Sequence, residues 1–120
     1  MTVTGQAPVL VLIGADPRRS HRANEALRIA LGIVSGENDV IVILSGPGAH
    51  LLDDDTDELV DGDDIAKFRT NLSALGVPFH VEEDSRPPEP DWNAAGHPVT
   101  VLDRTGIADF MRRSRRTLIF

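Results

Sequence analysis

The 120-residue chain contains no cysteine. Disulfides, thiolate metal sites and thiol nucleophiles are therefore excluded. It has one lysine, Lys67, and one tryptophan, Trp92. No apolar run approaches the roughly 20 residues of a membrane span. Residues 1–7 carry no cationic-then-apolar signal pattern, so the expected location is the cytoplasm. Excess positive charge is also missing. The net charge is −7, with eight acids and no base between Asp53 and Asp64. The remainder is close to neutral, which speaks against a broad nucleic-acid face. Other recognisable machinery is absent too. Gly46-Pro-Gly48 fails as a dinucleotide loop because Leu51 holds the third glycine position. No Gly-Lys-Ser/Thr phosphate loop exists, and Lys67 lies far from the last strand, where a receiver domain needs a lysine. An EF-hand register on Asp61-Gly62 puts Leu59 and Phe68 at ligand positions, so calcium of that type is excluded.

Residues 8–14, Pro-Val-Leu-Val-Leu-Ile-Gly, read as a strand buried on both faces, the expected centre of a parallel sheet. A helix follows over 20–35, through Ala23, Leu27, Ala30, Leu31 and Val34. Asp16 or Ser20 is its expected cap and Gly36 its stop. Residues 39–45 make a second buried strand, ended by Gly46-Pro47-Gly48, with one helical turn over 49–52. The acidic run reads as a solvated loop. Asp61 or Asp63 then caps a helix over 63–75, with stripe Ile65, Phe68, Leu72 and Leu75, closed by Gly76. Strands follow at 77–81, 98–103 and 117–120, and a short helix at 106–114. Residues 84–98 form a proline-rich loop around Trp92, a lid, a subunit contact or a simple packing element. Arg112, Arg113, Arg115 and Arg116 suit the end of the last helix or pairing with the acidic run of a neighbouring subunit. Alternating strands and helices predict one α/β domain over 1–120. The predicted architecture is a three-layer flavodoxin-like sandwich with a parallel five-stranded sheet and helices on both faces.

Several blocks together resemble the DsrE/DsrF-like family: Glu25-Ala-Leu-Arg-Ile-Ala-Leu-Gly, Asp39-Val-Ile-Val-Ile-Leu-Ser-Gly, Ala49-His-Leu-Leu, Leu75-Gly-Val-Pro-Phe-His-Val and Arg116-Thr-Leu-Ile-Phe. The resemblance spans nearly the whole chain. It implies a small α/β protein that assembles as a trimer or hexamer. Active members of that family pass sulfur as a persulfide on a cysteine at the end of the third strand. The matching position here falls at or beside Glu82, which cannot carry one.

Ligands of open parallel sheets bind beyond the strands' carboxyl ends, at a switch in strand order. A 2-1-3-4-5 order would set Asp16, Arg18, Arg19 and Ser20 opposite His80, Glu82 and Glu83, with His50 and Asp103 on the same rim. Arg18, Arg19 and the first helix start can hold an anion; a solvated turn fits equally. His80 beside Glu82 can serve as a general base or be a satisfied strand-end histidine. The leading expectation is a non-catalytic DsrE/DsrF-like protein, without cofactor or metal, that binds a partner protein or a small anionic ligand as a homo-oligomer. The alternatives are an enzyme using His80, Glu82 and Asp16 for acid–base chemistry on a small anionic substrate, and a divalent-metal module using His50, His80 and acids.

Overall fold

The computed structural model describes residues 7–120; the reading of residues 1–6 lies outside them. Strand β1 (Val9–Ile13) pairs on one side with β2 (Val40–Leu44) and on the other with β5 (Arg116–Ile119), both parallel. β3 (Phe79–Glu82) and β4 (Val99–Leu102) extend the sheet beyond β2, again parallel. The order is β4-β3-β2-β1-β5. This corrects the expected 2-1-3-4-5 arrangement. β2 lies between β1 and β3, and β2 rather than β1 is the central strand. Both runs are wholly apolar, and apolar content alone does not say which strand lies beside which.

The period of two along each strand divides the core. Val9, Val11, Ile13, Val42, Leu44, Phe79 and Val81 face α1 (Arg22–Ser35) and α2 (Gly62–Ala74), which pack on each other. Leu10 and Ile43 face the other way, against Ile107 of α3 (Arg104–Arg113), with Leu12, Ile41, Leu102 and Phe110 around them. From β1 to β4 the chain steps across the sheet in one direction, and α3 carries it back to β5. Reversal of direction moves a right-handed crossover to the opposite face. The three layers follow from that.

Helix starts differ from expectation. His21 occupies the N-cap of α1 without a side-chain bond; Ser20 Oγ accepts from Arg22 N at 3.3 Å, and Asp16 is used elsewhere. Asp61 stands at the N-cap of α2, but in a left-handed conformation (φ 59°), and its carboxylate reaches His21 Nδ1 at 2.7 Å instead of capping. Asp103 caps α3, accepting from Gly106 N at 2.8 Å. Gly76 ends α2 with φ 80°, as its position predicts, whereas after α1 it is Glu37, not Gly36, that turns left-handed. Arg112 and Arg113 both bond Asp109, and Arg115 bonds Asn38.

His80 points to the α3 side. It is 8% exposed, its ring lies 5.0 Å from that of Phe110, and its Nδ1 has no partner among the described residues. Burial pushes its pKa down from the ordinary value of about 6.5. His97 is pushed down as well, by burial and by Arg69. Both histidines therefore take up protons more readily in the unfolded chain. The stability they allow is complete above about pH 6.5 and falls as pH drops through their folded values. His21 is shifted up by Asp61 and works in the opposite direction, but at a fully exposed site where solvent screens it. His80→Leu removes an orphaned polar atom and is expected to stabilise the fold by about 1 kcal/mol at neutral pH. It should also flatten the loss of denaturation midpoint between pH 7.5 and 5.5. A variant less stable than wild type at both pH values would contradict this account.

Candidate functional site

The carboxyl ends of β1, β2 and β3 meet on one rim. After β1 the chain turns at Asp16-Pro17. Asp16 Oδ1 accepts from Arg18 N at 2.9 Å and from Arg18 Nε at 3.0 Å, while Oδ2 accepts from Arg18 Nη2 at 3.0 Å. This two-pronged contact holds the Asp16 carboxyl below the usual carboxylate range and fixes the guanidinium, leaving the Nη1 hydrogens for a ligand.

β2 runs into a 3-10 helix, Gly46–Leu52, that lies against the end of β1. This helix carries His50, whose Nδ1 is 3.0 Å from both oxygens of Asp53. The proton therefore sits on Nδ1, and Nε2 is the nitrogen left for other chemistry. Burial raises the Asp53 pKa; the His50 contact lowers it, and burial is the larger of the two. Beneath them Arg69, 5% exposed on α2, donates through Nη1 to the carbonyls of Leu51 (3.0 Å) and Asp53 (2.8 Å).

A short 3-10 turn, Glu83–Ser85, follows β3. Ser85 Oγ donates to Glu82 Oε1 at 2.9 Å and accepts from Gly46 N at 2.7 Å, tying the ends of β2 and β3 together. The proline-rich segment then crosses the rim as a strap. Trp92 Nε1 donates to Ala49 O at 2.8 Å, and Asn93 N donates to Leu52 O at 2.9 Å. Farther along, His97 is anchored through Asn93 and lies 2.8 Å from Ser73 Oγ, edge-on to Phe79.

Two adjoining cavities open between strap and rim. One, about 350 Å³, is lined by Arg18, His50, Glu89, Trp92 and further acids; the other, about 400 Å³, by Arg18, His50, Ser85, Arg86 and Glu89 among others. Arg18, His50 and Glu89 belong to both. A hollow of about 410 Å³ over the start of α2 is no rival. Leu59 is its one apolar side chain, its polar lining is mainly carboxylate, and it holds no cation to orient a ligand.

Of the residues predicted for the rim, Asp16, Arg18 and His50 come together. Arg19 is exposed and lies 3.6 Å from Asp16 without lining either cavity. Ser20 serves the α1 start, and Asp103 caps α3 at the far side of the sheet. The expected meeting of Asp16–Ser20 with His80, Glu82 and Glu83 is corrected. β2 separates the two groups, His80 is buried under α3, and Glu82 is engaged by Ser85. Among the described residues no three His, Asp or Glu side chains converge as a metal site; His50 bonds Asp53, while His80 packs on Phe110 of α3. Composition and spacing did not single out Asp53, Glu89 or Arg69. The signal for Asp53 was the three-residue spacing from His50, which one helical turn brings together.

No helix among the described residues is long and apolar enough to cross a membrane. No protein-family model matches the chain, and no curated protein sequence matches it. Among solved structures it is similar to the ychN protein from E. coli, with a TM-score of 0.73 and 16% identity over 96% of this chain and 100% of that one. Likeness at that identity is likeness of fold, the parallel α/β sheet with helices on both faces described above.

Proposed function

We propose that this is a DsrE/DsrF-like protein that has lost persulfide transfer and acts by binding, taking a small ligand through an anionic group in the rim cleft. The observation that carries the reading is the pair Arg18 and His50. Each is oriented by its own carboxylate, Asp16 and Asp53, and both line both cavities. The absence of cysteine supports the loss of sulfur transfer. Glu82 at the end of β3 offers only a carboxylate, already bonded to Ser85.

The protein works in this reading as a homo-oligomer, a trimer or hexamer. Ile119 is 65% exposed and Met111 37% exposed. Ile119 lies on the sheet face that α3, the one helix there among the described residues, leaves open; a second copy would cover it.

Native mass spectrometry of the freshly purified protein tests both parts. Three or six subunits, with a discrete extra mass per subunit, are the expected result. Arg18→Ala should weaken retention of that mass about tenfold, or about 1.4 kcal/mol. Sulfur acquired covalently from a persulfide donor would contradict the loss of transfer chemistry. An unchanged extra mass in Arg18→Ala would remove the cleft from the account.

A further inference from the structure

We infer that the ligand of this cleft is a small zwitterion, with one carboxylate or phosphate group at Arg18 and one ammonium or guanidinium group beside Trp92. The inference rests on the rim-binding reading and specifies its ligand.

The two cavities differ in charge. In the one bounded by Ser85 and Pro87, Arg18 and Arg86 stand against Asp84 and Glu89. That lobe is balanced. In the other, six carboxylates, among them Asp54, Glu58, Glu89 and Asp91, stand against Arg18 alone. Arg18 is itself already matched by Asp16, so it offers hydrogen bonds to an anion without a surplus of positive charge. One anionic group satisfies it. A second would meet the acidic wall, where like charges a few ångströms apart repel. Di- and triphosphates are disfavoured on this ground.

The acidic lobe also contains the aromatic surface of the site. Trp92 lines it, and its indole N–H is held by Ala49 O, which fixes the ring at the lobe wall. An indole face attracts a cation, most strongly where solvent is partly excluded. Carboxylates and an aromatic ring lining one lobe, with an oriented guanidinium shared by both lobes, therefore select a ligand charged oppositely at its two ends. Each lobe, near 350–400 Å³, lies at the low end of the range for small-molecule pockets.

Trp92 is the one tryptophan and the chain has no tyrosine, so its fluorescence reports directly on the lobe. Titrations with 4-guanidinobutanoate, and with its halves butylguanidinium and butanoate, test the inference. The zwitterion should bind at least tenfold more tightly than either half, and more weakly as salt rises. Arg18→Ala should reduce it to the level of butylguanidinium. Asp54→Asn combined with Glu58→Gln, both on the cavity wall, should weaken it about tenfold while butanoate binds no more weakly than to wild type. Butanoate binding as tightly as the zwitterion would overturn the inference while leaving the anionic rim reading intact. Butylguanidinium binding as tightly would overturn both. Silence toward all three probes would overturn the zwitterion, and inorganic phosphate would then decide the rest. An Arg18-dependent response to phosphate would preserve the rim reading, and none would remove it.

Discussion

Gly48→Ala is expected to destabilise the protein by about 3 kcal/mol, the cost of forcing an extra carbon into packed surroundings that cannot yield. A Cβ built at Gly48 would lie 2.1 Å from the carbonyl oxygen of Ile13 and 2.9 Å from its carbon. Both are backbone atoms of β1, so no side-chain rotation relieves the clash. That same oxygen accepts the hydrogen bond from Ser45 N at 2.9 Å that continues the β1–β2 ladder past the strand end. The 3-10 helix must therefore lift away from the sheet, and His50, two residues on, moves with it. Ligand affinity should fall together with stability. Gly32→Ala is the control. Gly32 lies within α1 with nothing within 4 Å of a built Cβ, and removing a helix-interior glycine should stabilise by about 1 kcal/mol. Denaturant midpoints of the two variants should bracket wild type. A Gly48→Ala protein with the wild-type midpoint would mean that the helix does not rest on β1 as described.

Much of this fold is legible from residue pattern alone. Val-Leu-Val-Leu-Ile and Val-Ile-Val-Ile-Leu are too apolar for anything but strands covered on both faces, and both are found there. Boundaries of the strands and α-helices agree to within two residues, because glycine and proline fall near the ends, whereas the helical turn expected over 49–52 begins three residues earlier, at Gly46, and takes in the Gly-Pro-Gly expected to precede it. Strand order is not legible in the same way. Val42 pairs with Val11 on one side and Phe79 on the other, and nothing in a run of valines and isoleucines records the identity of the partner. That ambiguity produced the false opposition of Asp16 and His80. The period of two along β3 does set His80 on the face away from Phe79 and Val81, and that face belongs to α3.

The site was legible where it follows a buried strand. Asp16, Arg18 and His50 all lie just beyond the carboxyl ends of β1 and β2, where the sheet architecture itself directs attention. Asp53 was hidden by its neighbours. In a run with eight acids it reads as one more solvated charge, yet it alone bonds His50 and its backbone carbonyl is held from below. Glu89 depends on the path of a proline-rich strap, which is fixed by long-range contacts of Trp92 and Asn93 rather than by local preference. Arg69 occupies a position in α2 that the apolar stripe should have filled. Ile65, Arg69 and Leu72 are the buried face, while Leu75, expected on it, is 54% exposed.

That misplaced arginine links the core to the cleft, and Arg69→Ala is the second large effect expected. A buried guanidinium is costly unless its donors are matched, and burial does push the Arg69 pKa down. Here Nη1 is matched by Leu51 O and Asp53 O, the two carbonyls where the 3-10 helix ends and the acidic run begins. Truncation leaves both without their cationic donor and opens space between α2 and the rim. Charge-assisted hydrogen bonds are worth about 1.5–3 kcal/mol each, but the relief of desolvating the cation offsets part of this. A net loss of about 2–3 kcal/mol is expected. Arg69→Met keeps an apolar stem in the gap and should recover about 1 kcal/mol of it. The two variants should nevertheless share one defect. Neither holds the Asp53 carbonyl, so the His50–Asp53 contact loosens in both. Nitrogen chemical shifts of His50 should then move toward a mixture of tautomers, away from a proton fixed on Nδ1. If Arg69→Met restored both stability and the single His50 tautomer, Arg69 would be a space filler, and its bonds to the rim would have no part in orienting the site.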